Sequence, residues 1–582
     1  MSYKNTFYFI FLVFFSFINS KIDLNEEEKS DDIIILHTND VHCGIEDNIG
    51  YDGLSLYKKE LQTKYKHVLL VDAGDNIQGG AIGLINKGKD IIDIMNHLEY
   101  DAVGIGNHEF DYKIEQLFNL SSWIKTGYIC ANFLYRKTKK TVFPPYNITK
   151  VGNTTIGFIG ILTPQTLTET YLHTLVDDDG ELLYDFLSGN EGQDLYNAIQ
   201  GYIDHLREEE NVTHVILVSH MGYGGDALEQ YTTPALLAHI TGVDAIIDGH
   251  THLKYNSTFP DREGNQIHIC QTGTKLKNIG KITITAEGNI TSEMISEVPI
   301  FEGYDEEQYL SVERGGKDVY VDNETHHFIQ DIINSHEDEF KEVIGYSDFD
   351  LLISTKDKPL INRIEENTLC NLVADMFRYY GQTDISLVNA GAVRDNILKG
   401  NITFNTILNI LPYSAKLYVK EVLGQDILDA LELGVRILPE RTSKFLQVSG
   451  IKFKVDESFP SSVVIDQNEN FVSVDGERRV YDVYIGNEKI NEKKRYSVTL
   501  VDFLSDGGDG YSMFRKYKTA NDTQHLDNEA FRLYIETVLN RNIPDEYRTT
   551  SGRIVKEKKP SSSSSFIKYY RKLALIFLCL IV

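Results

Sequence analysis

The sequence IIILHTNDVH, residues 33–42, joins an apolar run to a polar loop. Four consecutive aliphatic residues predict a buried strand, and Asp40 and His42 follow where that strand would end. An Asp and a His near the end of a strand are common in loops, so this pair alone does not indicate a site. Its meaning depends on whether other strands of the chain end in the same way.

Short apolar runs alternate with helical patterns through the first half of the chain. The predicted strands are residues 33–36, 67–71, 102–105, 155–161, 215–218 and 245–247. The predicted helices are residues 54–64, 90–98 and 195–210. Strands that alternate with helices are typical of an α/β layered domain, which we place at residues 28–325.

Five of the polar segments in this half carry side chains that ligate metals in other proteins. The candidate ligands are Asp40, His42, Asp75, Asn107, His220, His250 and His252. A single histidine of this kind is more often structural. Because ligand sites in α/β sheets gather at the carboxyl ends of strands, however, we expect these distant segments to meet at one site.

The residue types suit two divalent cations. Imidazole nitrogen favours zinc and other transition metals, whereas carboxylate and amide oxygens favour harder ions. Asp75 is the predicted bridge between the cations, because Gly74 before it lets another backbone approach closely. One cation is then held by Asp40, His42, Asp75 and His252, and the other by Asp75, Asn107, His220 and His250. We expect zinc, with manganese, cobalt or magnesium as alternatives.

His108 and Asp111 are the predicted catalytic residues. Two cations about 3.5–4 Å apart activate a water and stabilise a phosphoryl oxygen in other enzymes. His108 follows the candidate ligand Asn107, so it lies near the cations without binding one. Asp111 would hold the His108 ring protonated. His108 would then stabilise a transition-state oxyanion or protonate a leaving alkoxide.

The order of these segments resembles that of the calcineurin-like metallophosphoesterases. The motifs D-x-H, GD, GNHE, H and GHxH occur here at residues 40–42, 74–75, 106–109, 220 and 249–252. The resemblance implies a βαβαβ sandwich with a dinuclear metal site at the seven candidate ligands given above.

The second half of the chain carries four clusters of another kind. They are NRIEENTLCNLVADMF (362–377), LVNAGAVRDNI (387–397), ILPYSAKL (410–417) and FLSDGGDGYSMF (503–514). Arginine offers a planar fork of donors that suits phosphate, and aromatic rings stack on flat bases. Each cluster taken alone also fits a plain turn, a flexible loop or a core position.

The two halves are joined by an amphipathic, charged stretch at residues 326–345, which we predict to be a linker helix. Residues 346–554 then form an α+β substrate-binding domain. Its predicted helices are residues 367–380 and 420–433, and its β-rich segments are residues 450–455, 480–485 and 495–501.

Taken together, both halves resemble the 5'-nucleotidase family over residues 31–554. The substrate contacts that the resemblance implies are Arg363 and Arg394 for phosphate, Asn389 beside the nucleoside, Tyr413 and Phe503 on the two faces of the base, and Asp509 for ribose. The implied activity is hydrolysis of nucleoside 5'-monophosphates, AMP first. Three alternatives remain open: an apyrase-type enzyme acting on ATP and ADP, a UDP-sugar hydrolase, and a surface adhesion or nucleotide-binding protein whose catalysis has lapsed.

The ends of the chain and its charge predict where it works. Residues 1–20 are typical of a secretory signal, and residues 561–582 of a GPI-attachment signal with a removed tail. Nine Asn-x-Ser/Thr sequons fit the secretory pathway; they begin at Asn119, Asn147, Asn153, Asn211, Asn256, Asn289, Asn323, Asn401 and Asn521. The net charge of −29 argues against a nucleic-acid polymer as partner. We therefore expect a glycoprotein anchored on the extracellular face of the plasma membrane, or shed from it, with a homodimer through the C-terminal domain as a family-level expectation.

Overall fold

The computed structural model describes residues 29–170, 174–177, 179, 181–224, 227–299 and 308–560. The predicted secretory signal and GPI-attachment segment lie outside the described residues. Within the described ranges, no helix combines the length and the apolar composition needed to cross a membrane.

The first half of the chain contains sixteen strands within the described ranges. They are β1 (Ser30–Thr38), β2 (Tyr65–Asp72), β3 (Ala102–Gly104), β4 (Tyr128–Ile129), β5 (Leu134–Tyr135), β6 (Tyr146–Val151), β7 (Thr154–Leu162), β8 (Tyr184–Asp185), β9 (His214–His220), β10 (Ala245–Ile247), β11 (Lys254–Pro260), β12 (Gln266–Thr272), β13 (Ile279–Ile284), β14 (Ile290–Ile295), β15 (Tyr309–Arg314) and β16 (Lys317–Asp322). The α-helices are α1 (Gly50–Lys64), α2 (Ala81–Ile85), α3 (Lys89–Leu98), α4 (Ile114–Trp123), α5 (Thr166–Glu169), α6 (Gln193–Glu208), α7 (Thr233–Leu237), α8 (Asn323–Ser335) and α9 (Glu337–Phe340).

Two six-stranded sheets form the centre of this half. Their strand orders are β14-β13-β1-β2-β3-β4 and β11-β12-β10-β9-β7-β6. Strands β1, β2, β3 and β4 run parallel to one another, as do β7, β9, β10 and β12. The other strands of the two sheets pair in antiparallel fashion. Parallel strands within each sheet therefore end at a common edge, which places their following loops together.

Alternate residues of β1 face two different cores. Ile33 and Ile35 lie in the core between the two sheets, whereas Ile34 and Leu36 face the core that includes the residues of α1 and α3. A strand that is buried on both faces reads as a continuous apolar run, which explains why residues 33–36 show no polar alternation. The first half is thus a sandwich of two sheets covered by helices, as predicted.

The second half is built mainly on a five-stranded and a four-stranded sheet, ordered β21-β18-β27-β20-β28 and β26-β25-β22-β29. The strands are β17 (Val343–Ser347), β18 (Ile385–Asn389), β19 (Gly400–Thr403), β20 (Lys416–Leu423), β21 (Leu446–Ser449), β22 (Ile451–Val455), β23 (Val463–Ile465), β24 (Phe471–Val474), β25 (Val480–Ile485), β26 (Glu488–Lys489), β27 (Arg495–Val501), β28 (Thr519–Leu526) and β29 (Ile554–Lys556). The helices are α10 (Thr368–Gly381), α11 (Phe404–Ile410), α12 (Gly424–Gly434), α13 (Asp502–Ser505) and α14 (Asp527–Leu533), with a π-helical turn at Tyr534–Val538.

Short 3-10 turns connect these elements in both halves. They are Asn107–Phe110, Asn190–Gly192, Glu229–Tyr231, Ile361–Arg363, Ala390–Ala392, Gly508–Gly510, Ser512–Phe514 and Asp545–Arg548. Four of them contain predicted site residues or directly follow one, so single turns rather than long loops position much of the site.

Two sequence-based assignments are wrong. Residues 326–345 do not form one linker helix, because α8 ends at Ser335, the short α9 follows, and the chain then enters β17. The predicted helix at 420–433 is a helix only from Gly424, since Lys420 lies in β20, which pairs with β27 and β28. At Lys420 and at Val343–Gly345, pairing with a distant strand overrides a local helical pattern, whereas the break between α8 and α9 at His336 precedes β17.

Candidate metal centre

Four of the predicted ligands form one compact group at the sheet edge. Ligand atoms of Asp40, His42, Asp75 and His252 all lie within 4.8 Å of one another. Nε2 of His42 is 2.9 Å from Nε2 of His252 and 3.7 Å from Oδ2 of Asp75. Nitrogen lone pairs and carboxylate oxygens at these spacings converge on a volume that suits one cation.

The other predicted ligands adjoin this group through Asp75. Nε2 of His220 lies 3.0 Å from Oδ2 of Asp75, and Nδ1 of His250 lies 3.1 Å from Oδ1 of Asn107. The His220 and His250 rings are 5.4 Å apart between centroids. The structure therefore places all seven predicted ligands in one neighbourhood, with His220 against Asp75 and His250 against Asn107.

Buried polar atoms at this edge fit a bound cation. Oδ2 of Asp75 and Nε2 of His220 are buried, and although they lie 3.0 Å from each other, neither makes a well-aligned hydrogen bond to any described residue. Burial lowers the pKa of His42, and it lowers the pKa of His250 to about 3, so both rings are in the neutral form that ligates metals. For His220, the Asp75 carboxylate outweighs burial and raises the pKa to about 10, so a cation here competes with a proton.

Outer hydrogen bonds fix the orientation of two rings. Nδ1 of His42 lies 3.0 Å from the carbonyl oxygen of Gln78, and Nδ1 of His220 lies 2.7 Å from that of Ala73. A carbonyl accepts only, so each Nδ1 carries a proton, which leaves Nε2 as the ring nitrogen that faces the centre and would bind a cation there. This arrangement is typical of metal-bound histidine.

The backbone at the centre is locally strained. Asp40, His42, Asp75, His250 and His252 have φ between +47° and +81°, in the left-handed region. Residues other than glycine enter this region at a cost of about 1–3 kcal/mol each, and such residues cluster at functional sites. The left-handed turns aim side chains from three loops at one point.

Two glycines let the ligand loops approach each other. A Cβ on Gly106 would lie 2.1 Å from Oδ1 of Asp75, and a Cβ on Gly74 would lie 2.3 Å from the backbone nitrogen of Gly106. Both contacts are too short for a real side chain. The expected close backbone approach at Gly74 is confirmed.

Glu109, the last residue of the GNHE motif and not a predicted site residue, links the same two loops by hydrogen bonds. Its buried carboxylate accepts hydrogen bonds from the backbone N–H groups of Asp75 (2.8 Å), Asn76 (2.8 Å) and Gly106 (2.7 Å). Asp248, in DGHTH, does the same for the N–H groups of Gly222 and Gly249. The available signal was that Glu109 lies inside GNHE and that Asp248 directly precedes GHxH.

His108 and Asp111 form the predicted pair beside the edge of the sheets that carries the seven candidate ligands, which we call the metal edge. Oδ2 of Asp111 is 2.6 Å from Nδ1 of His108. Burial alone would lower the pKa of His108, but the Asp111 and Asp75 carboxylates outweigh it and raise this pKa to about 9. The ring therefore carries a proton at neutral pH, which it can donate at its free nitrogen.

Residues of the second half reach this edge. The rings of Tyr413 and His108 are 6.2 Å apart between centroids. The positive charge of Arg394 lies close enough to favour the deprotonated forms of His108 and Asp111. Burial raises the pKa of Tyr413 to about 12, while the nearby Arg394 opposes that shift. The positive charge of Arg363 likewise opposes the effect of burial on the pKa of Tyr413.

The remaining predicted substrate contacts lie in one neighbourhood. Nδ2 of Asn389 donates to Oδ2 of Asp509 at 2.9 Å. The Phe503 ring covers Gly508, where a Cβ would be 2.4 Å from the ring. Since Gly508 precedes Asp509, the aromatic ring and the carboxylate flank the same turn.

Cys43 is not part of the ligand group. Burial raises its pKa to about 12, which disfavours the thiolate that binds metals. The described cysteines Cys43, Cys130, Cys270 and Cys370 are all buried and unpaired.

Comparison with known families agrees with this geometry. Residues 33–254 match the family model described as calcineurin-like phosphoesterase, and residues 343–516 match the one described as 5'-nucleotidase, C-terminal domain.

Individual relatives match most of the chain at low identity. A trifunctional nucleotide phosphoesterase protein of Bacillus subtilis is 26% identical over 558 residues, covering 90% of this chain; the chain spans only 35% of that protein. A snake venom 5'-nucleotidase of Crotalus adamanteus is 26% identical over 552 residues, covering 85% of this chain and 84% of the venom protein. The crystal structure of a 5'-nucleotidase precursor from Thermus thermophilus superposes with a TM-score of 0.70 at 23% identity, covering 91% and 100% of the two chains. At that identity, the superposition establishes the shared fold.

Proposed function

Because the chain belongs to the 5'-nucleotidase family and is a metal-dependent phosphoesterase, we propose that it hydrolyses nucleoside 5'-monophosphates, with AMP preferred. The observation that carries this proposal is the approach of the second half to the metal edge. Tyr413 lies beside His108, and the positive charge of Arg394 is close enough to affect the pKa of the same ring. A phosphate at the metal edge would therefore have cationic and aromatic groups within reach on the side where a nucleoside extends.

The chain's own residues have distinct tasks in this proposal. Arg363 and Arg394 bind the non-bridging phosphate oxygens, which fixes the phosphorus for attack along one line. Asp111 keeps His108 protonated, and His108 places that proton at the developing oxyanion or the leaving 5'-oxygen. Asn389 and Asp509 contact the nucleoside, and Tyr413 and Phe503 hold its base.

The seven ligands Asp40, His42, Asp75, Asn107, His220, His250 and His252 would hold the two cations. Such a pair, when bound, supplies an activated water and neutralises charge on the phosphoryl oxygens. We propose zinc, since four of the seven ligands are histidines.

The test is phosphate release from AMP, ADP, ATP and UDP-glucose by the same preparation. After removal of metal by a chelator, zinc, manganese, cobalt and magnesium are added back one at a time. We expect the largest kcat/KM on AMP and restoration by zinc. A folded, zinc-loaded protein that releases no phosphate from AMP would defeat the proposal, and faster turnover of ATP and ADP would instead identify an apyrase-type enzyme.

We also propose that the protein works outside the cell, held by a GPI anchor. The signals at residues 1–20 and 561–582 support this, as do the sequons. Seven of the nine sequon asparagines are exposed and two are half-buried, so none lies in the core. Release from intact cells by a phosphatidylinositol-specific phospholipase, with a mobility shift after deglycosylation, is the expected result. Retention after that treatment would contradict the anchor, and size measurement of the released protein tests the predicted homodimer.

A further inference from the structure

Glu169 presents a buried carboxylate oxygen whose partner is absent from the described part of the fold. The residue ends α5, and its side chain is 17% exposed. Oε1 lies 3.4 Å from Nε2 of Gln165 and 4.0 Å from Nε2 of His250. Oε2 is buried and, within the ranges described, accepts no hydrogen bond. Leaving such an oxygen unpaired is costly, so it marks a place where a ligand donor fits.

The surroundings of Glu169 come from both halves of the chain. Helix α5 contacts the turn Gly508–Gly510, which carries Asp509. The charges that act on the Glu169 carboxyl belong to Lys444, Glu469, Asp509 and His108. Gln165, one helical turn earlier, donates to Oε2 of Glu469 at 3.3 Å. Glu169 therefore lies between the metal edge at His250 and the nucleoside-contacting turn at Asp509.

The chemistry of the missing partner follows from this position. The Glu169 carboxyl offers acceptor oxygens when ionised and both a donor and an acceptor when protonated, and a ligand hydroxyl matches either form. Between the phosphate and the base of a nucleotide, the hydroxyls are those of the ribose.

We propose that Glu169 accepts a hydrogen bond from a ribose hydroxyl and is a specificity-determining residue for ribonucleotides. This inference rests on the proposed nucleotidase function and adds to it a sugar contact beyond Asp509. A variant that lacks the carboxylate loses most on substrates that carry the hydroxyl.

The test compares kcat/KM for AMP, 2'-deoxy-AMP and 3'-deoxy-AMP in the parent enzyme and in Glu169→Ala. We expect the parent to prefer AMP over one of the deoxy substrates. Glu169→Ala should lower kcat/KM on AMP by about 3- to 100-fold, the range for the loss of one hydrogen bond. It should leave that deoxy substrate nearly unchanged, so the preference for the hydroxyl disappears.

Two further variants control for folding and packing. Glu169→Gln keeps the side-chain size and should show the same change of preference with a smaller loss. Thr170→Val removes a neighbouring buried hydroxyl at constant shape and should retain the parent's preference. Bound zinc is measured in every variant.

Each remaining outcome has a defined meaning. Equal losses on all three substrates together with reduced zinc content would show that Glu169 acts through His250, and would overturn the proposal. Unchanged discrimination in an active Glu169→Ala enzyme would overturn it as well while leaving the nucleotidase function intact. A parent enzyme inactive on every nucleotide would defeat the proposed function and this inference together.

Discussion

His108 illustrates how one residue's role is set by its immediate neighbours. It follows the candidate ligand Asn107 and donates from Nδ1 to Oδ2 of Asp111 at 2.6 Å. Its backbone N–H donates to Oδ1 of Asp75 at 2.9 Å. The ring is therefore tied to the metal edge while its other nitrogen stays available to substrate.

We expect His108→Ala to lower kcat on AMP by about 10²- to 10⁴-fold, the usual contribution of a positioned proton donor. Zinc content should match the parent, because the side chain is not a ligand in our assignment. Steady-state kinetics with metal analysis measures both. His327→Ala, at an exposed position on α8, is the control and should behave as the parent. Parent-like turnover of His108→Ala would remove His108 from the catalytic residues.

A second single-residue prediction concerns Gly106. A methyl group here would lie 2.1 Å from Oδ1 of Asp75, so Gly106→Ala must displace this carboxylate, the proposed bridge between the cations. We expect a zinc affinity at least about tenfold weaker, with activity restored in part by excess zinc. Gly201→Ala is the matched control, because a methyl group on Gly201 in α6 meets nothing within 4 Å. Equal zinc affinities for the two variants would contradict this reading of the loops.

At the scale of elements, the sequence predicted what repeated local patterns determine. Strands β1, β2, β3, β7, β9 and β10 were recognisable because they are apolar runs buried on both faces, and α3 and α6 because their apolar spacing is regular; the other strands of the first half were not predicted. The candidate ligands were predictable because they follow those six strands or the loops between them. Strand β17 and Lys420 in β20 were missed, since their structure depends on pairing with distant strands. Glu169 was missed for the same reason: its position depends on how α5 meets the turn at Asp509.

Strand β1 also carries a buried histidine with a pH-dependent effect on stability. His37 packs against Gly280 across the strand pair, and its ring nitrogens lack hydrogen-bond partners within the described ranges. Burial lowers its pKa to about 3, against about 6.5 in an unfolded chain. Between these values the unfolded state binds a proton that the folded state excludes. The free energy of unfolding therefore falls as the pH falls below 6.5.

We expect this residue to contribute a slope of about 1.4 kcal/mol per pH unit well below pH 6.5, and none above it. His37→Leu should remove that part of the slope. Denaturant unfolding of both proteins from pH 8 to pH 4 measures the difference, and the values at pH 8 give the constant packing offset. Parallel curves for the two proteins would contradict the assignment.

At the scale of the whole molecule, the proposed site draws on both halves of the chain. Oδ1 of Asn409 accepts from the backbone N–H of Ala81 at 2.9 Å, next to the loops that carry the candidate ligands. Arg363 and Arg394 both lie near Tyr413, and in our proposal they offset the net charge of −29, which would otherwise repel a phosphate.

We accordingly expect Arg394→Ala to lower kcat/KM on AMP by about 10- to 1,000-fold, with zinc content unchanged. Arg378→Ala, at an exposed position on α10, is the matched control and should have little effect. Kinetics and metal analysis on both variants decide the matter. A zinc-free Arg394→Ala protein would show that the residue supports the fold of the metal edge instead of the substrate.

The four buried thiols have a consequence for how the molecule fails. Burial raises the pKa of Cys43, Cys130, Cys270 and Cys370, so the native protein offers oxidants almost no thiolate. Unfolding exposes these thiols to water, where a thiol of ordinary pKa forms thiolate and can be oxidised to a disulfide in aerated solution. Heat damage should therefore be permanent in air and largely recoverable when dithiothreitol is present throughout.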